Sequence, residues 1–106
     1  MKEYDVVLYN MYNDEEREIE TISARSAESA EKKAISGGLV NHQSGWGVLD
    51  SVEHIDNTIG YVVQYENNEI SIDELGEAIM EFLKAPKPAK LYAASEEGKF
   101  ALLKSK

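Results

Sequence analysis

The sequence predicts an α+β fold: two helices packed on a mostly antiparallel sheet, in the order ββαβ then βαββ. Three observations lead there. Short segments with alternating apolar residues open and close the chain. Between them lie two stretches with apolar spacings of three and four, each introduced by a serine. The length of 106 residues suits one compact domain, loosely divided into halves 1–57 and 60–106.

Residues 4–12 put Tyr4, Val6, Leu8 and Tyr12 on one face and Val7, Tyr9 and Met11 on the other. Two apolar faces predict a central strand. Asn13-Asp14-Glu15-Glu16 is turn chemistry. Residues 17–24 then alternate, Ile19, Thr21 and Ser23 against Glu18, Glu20 and Ile22, and close a hairpin. Ser26 is a good N-cap for a helix over 27–36, and Gly37-Gly38 stops it. Ala27, Ala30 and Ala34 give that helix a small-residue face suited to close packing on a sheet.

Residues 39–47 read as a polar loop holding the single tryptophan, Trp46. Residues 48–55 suit a strand returning after a crossover helix, although Val48, Leu49, Val52 and Ile55 would also suit a helix face. Residues 61–66 form a further strand, with Tyr61, Val63 and Tyr65 on one face, and Asn67-Asn68 marks a bend. Ser71-Ile72-Asp73-Glu74 matches a capping box, so a helix is expected from Ile72. Its apolar stripe is Ile72, Leu75, Ile79, Phe82 and Leu83; Lys84 favours its last turn, and Pro86 and Pro88 end it. Residues 89–94 and 99–103 close the chain as a hairpin around 95–98. Val62-Val63-Gln64-Tyr65 faintly echoes Val6-Val7-Leu8-Tyr9.

Charge is the strongest functional signal. Twenty Asp and Glu stand against eleven Lys and Arg, a formal net charge of −9. Residues 1–83 carry −13 and residues 84–106 carry +4, through Lys84, Lys87, Lys90, Lys99, Lys104 and Lys106. A field of this sign repels nucleic acid and anionic membranes and attracts basic protein surfaces. The chain has no cysteine, which removes disulfides and thiolate sites. No apolar run exceeds four residues, and the start lacks the pattern of a signal peptide, so a cytoplasmic protein is expected.

The sequence carries little recognisable chemistry. Asp50, His54 and Asp56 lack the donor types and spacing of a metal site, and His54 reads as a surface histidine. His42 and Ser44 lack a nucleophile elbow, and neither glycine-containing stretch is a phosphate loop. No catalytic residue, metal or cofactor is expected. The partner-binding candidates are the acidic cluster Asp14, Glu15, Glu16, Glu18 and Glu20, with Tyr9, Tyr12, Tyr61 and Tyr65 on strands expected to share a sheet. A solvated edge that discourages aberrant strand pairing explains the same carboxylates more plainly.

The two opening strands, the helix entry Ala24-Arg25-Ser26-Ala27-Glu28-Ser29-Ala30-Glu31 and residues 48–55 resemble small accessory proteins of bacteriophages and mobile elements. Their ββαβ order is similar to the start of a β-grasp. The likeness covers the first half, and it implies an acidic inhibitor of a nucleic-acid-handling host protein, in the anti-restriction or anti-CRISPR style. The expectation is therefore a non-enzymatic protein-binding module engaging a basic host surface, without direct nucleic-acid or membrane contact. A self-associating assembly protein, working as a homodimer, is the alternative. An enzyme acting on small molecules ranks third.

Overall fold

Val6, Val7 and Leu8 fill the middle of the first strand and are fully buried, as a segment with two apolar faces must be. The computed structural model describes residues 1–37 and 45–106, and of Asp14 and Glu15 the main chain alone. The elements run β1 Lys2–Asn10, β2 Asn13–Ala24, α1 Ala27–Gly37, β3 Trp46–Glu53, β4 Thr58–Tyr65, β5 Asn68–Ile72, α2 Leu75–Lys84, β6 Ala89–Ser95 and β7 Phe100–Ser105.

The fold is α+β, with the strands in two antiparallel sheets ordered β2-β1-β3 and β5-β4-β6-β7. Two sheets replace the single one expected. With β5 on one side and β6 on the other, β4 has both edges occupied, just as β2 and β3 occupy both edges of β1. Neither central strand is left an edge for the other. The chain divides into two compact units, Met1–His54 and Ile55–Lys106.

In the first unit, Ser26 caps α1: its Oγ accepts from the Ser29 amide at 3.1 Å, and its carbonyl accepts from Ala30 at 3.0 Å. Ala30 and Ala34 turn onto the sheet and are buried with Val6, Leu8 and Ala24, while Tyr4, Ile22, Trp46 and Val48 pack around them. The Ser51 hydroxyl donates to Glu31 at 2.6 Å and the Lys33 ammonium to the Ser23 carbonyl at 2.9 Å, tying α1 to both edge strands. Residues 48–55 are strand through Glu53, so the helical alternative falls. Gly38 and most of the 39–47 loop, with His42 and Ser44, lie outside the described residues.

The first hairpin turns earlier than its acidic residues suggest. Asn10 pairs with Asn13, leaving Met11-Tyr12 as the loop, and residues 13–16 belong to β2. The Asn10 carboxamide decides this: its Oδ1 accepts from the Tyr12 amide at 2.9 Å, a side-chain mimic of a backbone turn.

In the second unit, Glu66 takes a positive φ of 52° and turns the chain so that Tyr65 pairs with Asn68. Ser71 and Ile72 consequently sit in β5, opposite Val62 and Tyr61, and do not open a helix. α2 begins at Leu75 behind Glu74, which makes no side-chain cap. The capping box fails because its serine is spent on a strand. Leu75, Gly76, Ala78, Ile79 and Phe82 form the buried face of α2, and Leu83, expected in that stripe, is exposed.

The two units share one connectivity. In each, the first strand is central, its hairpin partner lies on one side, and the strand after the helix lies on the other. β7 is the addition in the second. Tyr4, Val6 and Leu8 face α1, and Tyr61, Val63 and Tyr65 occupy the corresponding face of β4. The sequence echo pairing Val6 with Val62 is therefore out of phase by one residue with the structural match.

Candidate partner-binding site

An edge strand carries alternate side chains about 7 Å apart along each face. On β2, Glu18 lies opposite Leu8 and Glu20 opposite Val6, so both carboxylates share the sheet face on which α1 packs. Glu16 accepts from Asn10 Nδ2 at 2.8 Å. The carboxylates of Glu18 and Glu20 have no hydrogen-bond or ion-pair partner among the described residues, and Oε2 of Glu20 is buried. Three acidic groups thus stand in a row on an edge strand with little local neutralisation. The side chains of Asp14 and Glu15 lie outside the described residues.

Tyr12 sits in the loop beside this row, 85% exposed. Its ring lies against Gly45, whose carbonyl accepts from the Met11 amide at 2.7 Å. A Cβ at Gly45 would enter that ring, and the φ of 78° there independently favours glycine. Tyr9 is half-buried against Gly47 and pairs with Arg17, on the face opposite Glu18 and Glu20. Tyr61 and Tyr65 are half-buried in the other sheet, on the face of Val63. β1 and β4 do not share a sheet, so the tyrosines form no common patch within either one. The structure brings Tyr12 and Glu16 to one end of β2 and leaves the other tyrosines elsewhere.

The lysine-rich segment is partly occupied within its own unit. Lys106 Nζ donates to the Leu83 carbonyl at 3.0 Å and lies 5.1 Å over the Phe82 ring, where it complements the carboxyl end of α2. Lys99 pairs with Glu97 at 3.5 Å.

One polar cluster escaped sequence reasoning. Asp5, inside the apolar run of β1, is buried and accepts from Thr21 Oγ1 at 2.7 Å. His54 Nδ1 stands 3.0 and 3.1 Å from its two carboxylate oxygens. His54 is thus a structural partner of a buried acid and not the surface residue expected. The available signal was Asp5 itself, a charge in the middle of a central strand. Among the described residues no three His, Asp or Glu side chains group as metal ligands.

Comparison with known proteins finds no matching family model, no matching curated protein and no matching solved structure. The functional reading therefore rests on the chain's own geometry. Among the described residues no helix is long and apolar enough to cross a membrane.

Proposed function

We propose that this chain is a non-enzymatic, acidic protein-binding module that docks edge strand β2 on a basic protein surface in the cytoplasm. The observation that carries this reading is the row Glu16, Glu18 and Glu20 on an edge strand, two of whose carboxylates have no partner among the described residues. Like charges at that spacing work against the fold, and a partner's lysines or arginines would relieve them. Tyr12 adds an exposed ring with a hydroxyl at the same end, a residue type suited to interfaces. The sharpest version is inhibition of a nucleic-acid-handling host protein, with the carboxylate row standing where phosphates would lie.

The test is capture of host proteins on the immobilised chain across a salt series, with E16K/E18K/E20K beside it. A partner retained at low salt, released as salt rises and lost on charge reversal supports the reading. Retention indifferent to both salt and charge reversal removes it.

A second reading, self-association, is favoured by β7. This edge strand carries no acidic residue and exposes Phe100 and Leu102. An edge strand with exposed apolar side chains invites strand pairing, and Lys104 is the one charged residue within β7. Sedimentation that stays monomeric at high concentration removes this alternative.

A further inference from the structure

The second sheet has an open face. The pairs Val62 with Ser71, Val62 with Tyr92, Gln64 with Glu69 and Ala94 with Phe100 place these side chains on one side, away from the buried face formed by Val63 and Leu91. Val62, Gln64, Glu69, Ser71, Tyr92 and Phe100 together line a concavity of about 410 Å³, to which all four strands contribute.

We propose that this concavity binds an arginine side chain presented by an extended segment of a partner protein. Glu69 supplies the charge. Its carboxylate receives only a long hydrogen bond from Gln64 Nε2 at 3.4 Å and has no ion pair among the described residues, so its acceptor capacity is open. Tyr92 supplies a wall, braced edge-on by Phe100 with ring centroids 6.4 Å apart and planes at 78°. Val62 offers apolar floor for a methylene stem, and the Ser71 hydroxyl a further acceptor.

A carboxylate and an aromatic ring lining one concavity suit a planar cation. Guanidinium pairs with a carboxylate through two parallel donors, stacks on a ring and sheds water more readily than ammonium. The chain's net charge of −9 draws cations towards it. Lys90 lies opposite Gln64 on the same face, so its charge works against a cationic ligand. The site stands apart from the β2 reading, since every residue in it belongs to the second unit.

The test uses the full chain, labelled with ¹⁵N, titrated with the peptide acetyl-Gly-Ser-Arg-Ser-Gly-amide and its lysine and citrulline counterparts. The arginine peptide should give saturable shifts at the amides of Val62, Gln64, Ser71 and Tyr92. Binding should be about fivefold weaker for lysine and absent for neutral citrulline. E69Q and Y92L should each weaken binding about tenfold, and K90A should tighten it about twofold. Glu69 is exposed and its variant keeps the strand, so an unchanged spectrum elsewhere separates lost binding from lost fold. Equal binding of the citrulline peptide, no saturable shift, or shifts produced by raising protein concentration alone overturn the proposal; the last would place a second copy on this face. The E16K/E18K/E20K variant, whose net charge is −3, should still give saturable arginine-peptide shifts at Val62, Gln64, Ser71 and Tyr92, which keeps this result distinct from the fate of the β2 reading.

Discussion

His54 Nδ1 and the carboxylate of Asp5 meet at 3.0 Å, joining the end of the first unit to the middle of its central strand. The side chains are 31% and 10% exposed, so Asp5 has little access to water and depends on its protein donors. Thr21 Oγ1 supplies a second donor from β2, and the His54 amide itself donates to the Glu3 carbonyl at 2.9 Å. One carboxylate therefore gathers β1, β2 and the segment after β3. Removing either donor leaves acceptor capacity unfilled in a buried place. Thr21→Val, which keeps the shape, should cost about 1–2 kcal/mol, and His54→Ala about 1–3 kcal/mol. The double variant should depart from additivity, because both donors serve the same group. Urea unfolding of the four proteins reads this directly; strict additivity would mean that the two donors do not act on Asp5 together.

Gly45 and Gly98 share a φ of 78°, yet their surroundings differ. A Cβ at Gly98 would meet nothing within 4 Å, whereas at Gly45 it would collide with the Tyr12 ring. Gly98→Ala should therefore carry only the backbone cost, about 1 kcal/mol. Gly45→Ala should cost more, and the excess should shrink in a Tyr12→Ala background, where the ring is gone. Denaturation midpoints of the two alanine variants, with and without Tyr12, separate backbone strain from collision. Equal losses at the two glycines would remove Tyr12 from the account.

Ser26 and Ser71 look alike as helix starters, but only one caps a helix. Ser26 Oγ takes the Ser29 amide, while Ser71 lies in β5 opposite Val62. Ser26→Ala should cost about 1 kcal/mol. Ser71→Ala, on the exposed face of a strand, should stay within about 0.5 kcal/mol. Thermal unfolding of the two variants gives the contrast, and equal losses would contradict the placement of Ser71.

The same pair of serines explains what was legible in the sequence. α1 could be read because its cap, its alanine face and its terminal glycines all act locally. β5 could not, because its existence depends on the turn at Glu66, a residue type with no preference for the positive φ it adopts. Without β5, α2 starts three residues early, at Ile72 in place of Leu75. On the candidate site, alternation in β2 placed Glu18 and Glu20 on one face correctly. The position of the turn depended on the Asn10 side chain folding back on the Tyr12 amide, which composition does not reveal. The tyrosines of β1 and β4 look like one group in the sequence, because the long-range pairing that separates their strands leaves no local mark.

Glu18 and Glu20 oppose the fold for different physical reasons, and substitution can tell them apart. Glu18 is exposed, and its cost is repulsion from neighbours about 7 Å away, roughly 0.6 kcal/mol per pair in a water-like dielectric. Glu18→Gln should raise stability by a few tenths of a kcal/mol at low ionic strength. The gain should vanish near 1 M salt, where the screening length falls to about 3 Å. Glu20 has a buried carboxylate oxygen without a donor among the described residues, a desolvation cost that salt does not screen. Glu20→Leu removes that oxygen and should raise stability by about 1 kcal/mol at both ionic strengths. Urea midpoints at about 0.05 M and 1 M salt discriminate, through the different reach of screened charge and burial. If both gains disappear together at high salt, Glu20 is only another exposed charge. If neither variant gains, the carboxylates are neutralised in the free protein, and the β2 row loses its claim to want a basic partner. A gain in stability joined to a loss of partner capture would mark the row as a binding feature held at the fold's expense.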